Sequence, residues 1–216
     1  MTSNFFQGKF YHVFNRSIAK FNIFGNKDSS QRFIEVLDYY NSYDNSELKT
    51  KYSVAKEKQQ YIYNNLIIPK DNSNLKFISY CIMPDHYHLL IKILKDNKLS
   101  KYINDIENSY TRYFNIRFNR KGPLWESSFK VARIETNEQL LHVSRYLHLN
   151  PTTADLITKP EDWRHSSYRD LITNDNFLRD YLPEISIANK ESYRKFVENN
   201  RDYQRKLGLI KKLIFK

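Results

Sequence analysis

Two short apolar runs on either side of a three-residue turn constrain this chain most strongly. The runs are rich in Ile, Leu, Tyr and Phe, and Met83-Pro84-Asp85 separates them. This pattern predicts two strands, 75–82 and 86–94, paired as an antiparallel hairpin. Because alternate residues of a strand share a face, His86 and His88 are expected to project from one side of a sheet. Such a pair is either half of a metal site or two partly buried histidines satisfied by hydrogen bonds.

The remaining elements predict the fold class. The order strand, helix, two strands, helix, strand, helix is typical of an α+β fold with an antiparallel sheet and packed helices, ferredoxin-like in its simplest form. Pro151 is expected to end the last of these helices, since proline disfavours helical geometry at the residue before it. The predicted segments outside the hairpin are a strand at 10–16, a helix capped within 28–30 that carries apolar residues from 33 to 40, a helix at 99–120, a strand region at 125–134 and a helix at 138–150.

Charge and aromatic content point to a polyanionic partner. The chain has 35 Lys and Arg against 24 Asp and Glu, a net charge of +11. This excess favours nucleic acid first and a membrane surface second, against the alternative of a solvated basic surface. The 17 Tyr and 14 Phe residues would suit stacking on unpaired bases, although many must also fill the core.

Cysteine use and hydropathy bear on the compartment. Cys81 is the only cysteine, which excludes a disulfide framework within one chain and favours a small buried hydrophobe over a nucleophile. No apolar run approaches the roughly 20 residues that a transmembrane helix needs, and the first residues lack a signal-peptide pattern. We therefore expect a cytoplasmic protein with no membrane partner.

A polar stripe on the last predicted helix suggests chemistry. His142, Tyr146 and Asn150 recur every four residues, so they lie on roughly one face of the helix. A tyrosine hydroxyl can attack a phosphodiester and form a covalent phosphotyrosine, and Asn150 could offer its carbonyl oxygen to a metal held by the two histidines. The alternative is a tyrosine that packs its ring and exposes its hydroxyl to water.

Two segments together carry a resemblance to a known family. Pro84-Asp85-His86-Tyr87-His88 is similar to the His-hydrophobe-His signature of the HUH single-strand nucleases. With Tyr146-Leu147-His148-Leu149-Asn150-Pro151, the set resembles the single-tyrosine transposases of the IS200 type, above all the REP-associated tyrosine transposases. Three further segments fit the same family, at residues 11–16, 122–129 and 163–168.

The resemblance implies a fold, a reaction and a set of roles. Residues 8–172 would form an HUH domain that binds single-stranded or hairpin DNA and cleaves it with a divalent metal, Mg²⁺ or Mn²⁺, leaving a 5′-phosphotyrosine and a free 3′-hydroxyl. By position, His86, His88 and Asn150 would be metal ligands and Tyr146 the nucleophile. The alternative function is a catalytically idle HUH-fold protein that binds DNA hairpins.

Other parts of the chain have weaker assignments. An insertion at about 41–74 and a helical basic extension at 173–216 have no family role, and a homodimer remains open. His142 is a candidate for contacting the phosphate or orienting the phenol, and Glu126 for touching the site, with a surface role as its alternative. Five cations are candidates for phosphate contacts, each with plain surface charge as its alternative: Arg112, Arg117, Arg120, Lys121 and Arg133.

Overall fold

The computed structural model of the protein describes residues 4–41, 73–173 and 183–200. Most of the predicted insertion lies outside these ranges, as do residues 174–182 and 201–216 of the predicted helical basic extension. The described elements are β1 Phe10–Arg16, α1 Lys27–Asn41, β2 Leu75–Ile82, β3 His86–Ile93, α2 Leu99–Arg117, β4 Lys130–Ile134, α3 Asn137–Thr153, α4 Tyr168–Thr173 and α5 Lys190–Glu198. Short 3₁₀ turns occupy Ile18–Lys20 and Pro160–Asp162.

The four strands form one antiparallel sheet in the order β2-β3-β1-β4. The predicted hairpin is therefore present as β2 and β3, and β1 pairs with β3 on one side and with β4 on the other. This strand order, with α1 and α2 as the two crossovers, confirms the predicted ferredoxin-like α+β fold.

Each face of the sheet buries its own core. Tyr11, Tyr87 and Leu89 lie in a first cluster with buried residues of α1 and α2. The opposite face, which includes Leu90, packs in a second cluster with α3, α4 and α5. Because strand residues alternate between faces, the site candidates His86 and His88 lie on the α3 side, as predicted, and Tyr87 lies in the core.

Helix α3 is fixed on the sheet by a buried polar network. His148 Nδ1 lies 2.6 Å from the hydroxyl of Tyr193 in α5, and its Nε2 lies 2.8 Å from the hydroxyl of Ser167. Ser144 Oγ lies 2.5 Å from the same tyrosine hydroxyl. All four side chains are fully buried, so α3 meets its neighbours with matched polar groups as well as apolar contacts.

Three predicted boundaries were wrong. Helix α2 ends at Arg117 and not at residue 120, because Asn119 adopts a left-handed φ of 47° that an α-helix does not continue through. Helix α3 does not end before Pro151 but continues to Thr153. The missing proline N–H costs only one hydrogen bond near the C-terminus, and the hydroxyls of Thr152 and Thr153 both donate to the Leu149 carbonyl. The strand predicted at 125–134 begins only at Lys130. Before it, Trp125 turns into the first core, where its indole nitrogen donates to the backbone carbonyl of Glu107.

A buried carboxylate ties α2 to the back of the sheet. One oxygen of Glu107 accepts hydrogen bonds from Asn15 Nδ2 at 2.8 Å and from the Tyr87 hydroxyl at 2.7 Å. Burial raises the pKa of Glu107, and these two bonds only partly oppose that shift. The residue between the two site histidines is thus anchored from the opposite layer.

We expect Glu107→Gln to preserve stability at neutral pH and Glu107→Ala to lose about 2–4 kcal/mol, because alanine leaves two buried donors unpaired and opens a cavity. Folding raises the pKa of Glu107, so its contribution weakens as pH rises through the folded value. Urea titrations across that range should show wild type losing stability relative to Glu107→Gln. Equal destabilisation by Gln and Ala would contradict this account.

Candidate active site

The two histidines of β3 each have a partner at Nδ1. His86 Nδ1 lies 2.5 Å from Asp85 Oδ1, and Arg16 Nε lies 3.5 Å from the other oxygen of that carboxylate. Burial would raise the pKa of Asp85, but the hydrogen bond and charge of His86, together with the charge of Arg16, hold it below its usual range. The carboxylate is therefore ionised at neutral pH and orients the His86 ring.

His88 has a second imidazole as its partner, which the sequence prediction missed. Its Nδ1 lies 3.0 Å from Nε2 of His12 on the neighbouring strand β1. The Nε2 atom of His88 is buried and has no hydrogen-bond partner among the described residues. The alternation of β1 would have indicated that His12 and Phe14 share a face, but only the register with β3 brings His12 to His88.

Helix α3 places Tyr146 over these histidines. Its ring centroid lies 5.6 Å from that of His88 and 6.5 Å from that of His12, both nearly edge to face. Tyr146 is 41% exposed, whereas Asn150, one turn further on, is buried. The Nδ2 atom of Asn150 has no hydrogen-bond partner among the described residues.

The site favours neutral groups. Burial lowers the pKa of His12 to about 4. Burial also holds the pKa of His88 well below its usual value, and electrostatic interactions with His86, His12 and Arg16 lower it further. Burial also raises the pKa of Tyr146, an effect that Cys81 reinforces and that Arg16 and the Asn150 side chain oppose. At neutral pH the imidazoles of His12 and His88 offer lone pairs, and the phenol keeps its proton.

The auxiliary candidates lie at the margin of this arrangement. His142 is exposed. Its Nδ1 lies 2.7 Å from the guanidinium Nη2 of Arg145, and its ring packs against Phe196 of α5. The side chain of Glu126 is exposed, while its backbone N–H donates to the Arg16 carbonyl at the end of β1. The phosphate-orienting role predicted for His142 and the site contact predicted for Glu126 stay predictions.

Most of the predicted phosphate-binding cations lie away from Tyr146. Arg112 and Arg117 belong to α2, on the other side of the sheet, and Arg117 pairs with Asp28 at 2.9 Å. Arg120 donates to the carbonyl of Pro123 at 2.6 Å, which closes the loop after α2 that also contains Lys121. Arg133 pairs with Glu135 and stands opposite Tyr11, whose side chain lies in the first core.

Two cations that the sequence prediction left out lie on the site face. Arg16 stands opposite His86 in the sheet, and Lys130 stands opposite Phe14. Cross-strand partners in an antiparallel sheet share a face, so both belong to the side of the sheet that carries Tyr146. Lys130 is exposed, and the charge of Arg16 influences the pKa values of both Tyr146 and His88.

The donor set fits a divalent cation. No group of three His, Cys, Asp or Glu side chains in residues 4–41, 73–173 and 183–200 is arranged to hold a metal, so a third ligand drawn from these residues would be of another type. The amide of Asn150 is such a group. His86 and His88 both engage Nδ1 and leave Nε2 for a ligand, which is how metal-binding histidines are usually oriented. The unsatisfied His88 Nε2 is a buried polar atom that an ion would satisfy.

Comparison with known proteins identifies the relatives of this site. The sequence family described as "Transposase IS200 like" matches residues 46–150, a span that contains His86, His88, Tyr146 and Asn150. The chain is similar to the IS200-like transposases. The end of the IS200-like match coincides with Asn150, the last candidate residue on α3.

Two individual relatives extend the similarity to the IS200-like family. A Haemophilus influenzae protein named as a REP-associated tyrosine transposase is 25% identical over 101 residues, which cover 42% of this chain and 57% of that protein. The chain thus spans little more than half the length of this curated relative. The structure of a REP-associated tyrosine transposase bound to a REP hairpin superposes with a TM-score of 0.54 at 12% identity, covering 79% of this chain and 82% of the other. That likeness confirms the fold.

The described residues also bear on the remaining sequence predictions. None of the described helices is both long enough and apolar enough to cross a membrane. Cys81 is fully buried in the second core, where burial raises the pKa of its thiol. A protonated, enclosed thiol is a poor nucleophile, in agreement with the expectation that Cys81 acts as a small hydrophobe.

We expect Cys81 to resist a thiol reagent such as dithionitrobenzoate in the folded protein and to react completely in urea. The physical reason is that both access and thiolate formation need local unfolding. The absorbance of the released thiolate measures the rate. A folded-state rate close to the rate in urea would show that the core beneath Tyr146 is open.

Proposed function

We propose that this protein is a metal-dependent DNA transposase of the HUH type, a single-strand endonuclease and strand transferase with Tyr146 as its nucleophile. One observation carries the proposal: the ring of Tyr146 on α3 lies 5.6 Å from the ring of His88 on β3. Residues far apart in the sequence thereby combine a nucleophile with two metal-binding imidazoles. The similarity to IS200-like transposases supports the same conclusion.

The proposed substrate is single-stranded or hairpin DNA. The structural relative is bound to a REP hairpin, and the net charge of this chain is +11. Phosphate contacts from cations supply most of the affinity of such complexes. Arg16 and Lys130 are the cations that we assign beside the scissile phosphate, because both lie on the face of the sheet that carries Tyr146.

In the proposed reaction, the Tyr146 hydroxyl oxygen bonds to phosphorus as the bond from phosphorus to the 3′-oxygen breaks. The phenol loses its proton, and the departing 3′-oxygen gains one. The products are a 5′-phosphotyrosine and a free 3′-hydroxyl, and attack by a 3′-hydroxyl on the phosphotyrosine rejoins the strand. The covalent intermediate divides one difficult step into two easier ones, and it keeps a phosphodiester bond in place for rejoining.

The residues around the phenol have separate tasks. His86, His88 and Asn150 would hold Mg²⁺ or Mn²⁺, which supplies Lewis-acid polarisation of a phosphate oxygen. Burial raises the pKa of Tyr146, and the charge of Arg16 and the side chain of Asn150 only partly oppose that shift. The phenol is therefore protonated at neutral pH and must lose its proton during the attack.

Tyr146→Phe is expected to abolish a covalent DNA adduct, because phenylalanine lacks the attacking oxygen. Labelled single-stranded hairpin DNA is incubated with protein and Mn²⁺ or with EDTA, and adducts are counted on a denaturing gel. The matched control is Tyr113→Phe on α2, which we expect to form the wild-type amount of adduct.

Adduct formation by Tyr146→Phe would remove Tyr146 as the nucleophile. Absence of adduct from the wild type over a broad panel of hairpins, with binding retained, would instead favour a catalytically idle DNA-binding protein.

Mn²⁺ is expected to raise the thermal unfolding temperature of the wild type, since a ligand at a hundredfold excess over its Kd stabilises by about 2.7 kcal/mol. His86→Ala should lose most of this increase, because one imidazole ligand is missing. His142→Ala, an exposed histidine of α3, should retain it. Differential scanning fluorimetry with and without Mn²⁺ measures the shift; an equal shift in His86→Ala would place the metal elsewhere.

A further inference from the structure

We propose that His12 is a positioning residue for His88, accepting the Nδ1 proton of His88 at its own Nε2 and so directing the His88 Nε2 lone pair to the metal. This inference rests on the proposed function, since it assigns a role toward the metal of that site. His12 lies in the segment 11–16 that resembles the family, but the predicted ligand set gives it no role.

The hydrogen bond restricts His88 to two arrangements. Its Nδ1 lies 3.0 Å from His12 Nε2, so one of these nitrogens carries the shared proton. If His12 donated, the neutral His88 would carry its own proton on Nε2. That nitrogen is buried without a hydrogen-bond partner among the described residues, and an unpaired buried donor is costly. The opposite arrangement places a lone pair at Nε2, where a cation can use it.

Geometry excludes His12 as a ligand of the same ion through Nε2. The Nδ1 and Nε2 lone pairs of an imidazole point away from each other, so a cation at His88 Nε2 lies beyond the far side of the ring from His12. The two rings are nearly parallel, with centroids 5.1 Å apart and an interplanar angle of 28°. His12 therefore acts on the metal only through the orientation and tautomer of His88.

His86, the neighbouring proposed ligand, is also held by a hydrogen bond at its Nδ1, but its partner is a carboxylate. His86 Nδ1 bonds Asp85, and Arg16 of β1 contacts that carboxylate. His12 and Arg16 both project from β1 toward the site, since they are separated by an even number of residues. Strand β1 thus supports both ligating histidines, one directly and the other through Asp85.

The packing around His12 is consistent with a fixed ring. His12 stacks on Phe14 with centroids 4.9 Å apart, and Phe14 also lies 5.7 Å from the ring of His88. These contacts limit rotation of both imidazoles about their side-chain bonds. Phe14 shares the position of His12 beside the ligand but cannot accept a proton, which makes it a natural control.

The test compares His12→Phe, His12→Gln and Phe14→Leu for Mn²⁺ affinity, measured without DNA by the electron paramagnetic resonance signal of free Mn²⁺. We expect His12→Phe to weaken binding about 10–100-fold, the usual effect of losing such a partner. His12→Gln, whose amide oxygen can accept the same proton, should recover most of the affinity. Phe14→Leu, which removes ring packing but no proton acceptor, should lose much less affinity than His12→Phe.

A second measurement covers the case in which His12→Phe does not fold. Long-range ¹H–¹⁵N correlation spectra of the metal-free wild type report the tautomer of His88, assigned by loss of its signals in His88→Gln. We expect the proton on Nδ1; a proton on Nε2 would overturn the proposal. Equal Mn²⁺ affinity in His12→Phe and wild type would also overturn it. Failure of the wild type to bind Mn²⁺ would instead contradict the metal site of the proposed function.

Discussion

The register between β1 and β3 is the constraint on which the candidate site depends. It sets His86 opposite Arg16 and His88 opposite Phe14, with His12 one pair further along the same face. Side chains of a strand alternate, so a slip of one residue would send every one of these groups to the opposite face. Buried residues on both faces resist such a slip, since Tyr87 and Leu89 would then leave the first core.

The second requirement is the placement of α3. Tyr146 faces His88 because α3 has a particular rotation about its own axis. The hydrogen bonds of His148 with Tyr193 and Ser167 fix that rotation. These groups are buried, so any shift that breaks one bond leaves an unpaired polar atom. Helix α5 therefore contributes to the site indirectly, although its sequence suggests only a charged extension.

Much of this arrangement could be predicted from the sequence, for identifiable physical reasons. The strand at 10–16 and the hairpin follow from short apolar runs with clear limits. Strand and helix periodicity places His86 with His88 on one face and Tyr146 with Asn150 on another, and the resemblance to the IS200-type transposases joins the two into one predicted site. The link between His12 and His88 could not be predicted, because it depends on which strands are neighbours. Pro151 misled the prediction of the α3 terminus, because a proline near the last turn costs one hydrogen bond without ending the helix.

The central claim is that one chain brings a tyrosine nucleophile and a histidine metal site together. Its most direct test is peptide mapping of the covalent product: DNA-reacted protein is digested with nuclease and protease, and the modified peptide is sequenced by mass spectrometry. We predict that a nucleotide is linked through its 5′-phosphate to Tyr146 alone, and that no modified peptide forms when EDTA is present. A nucleotide linked through its 5′-phosphate to any other residue would contradict the account.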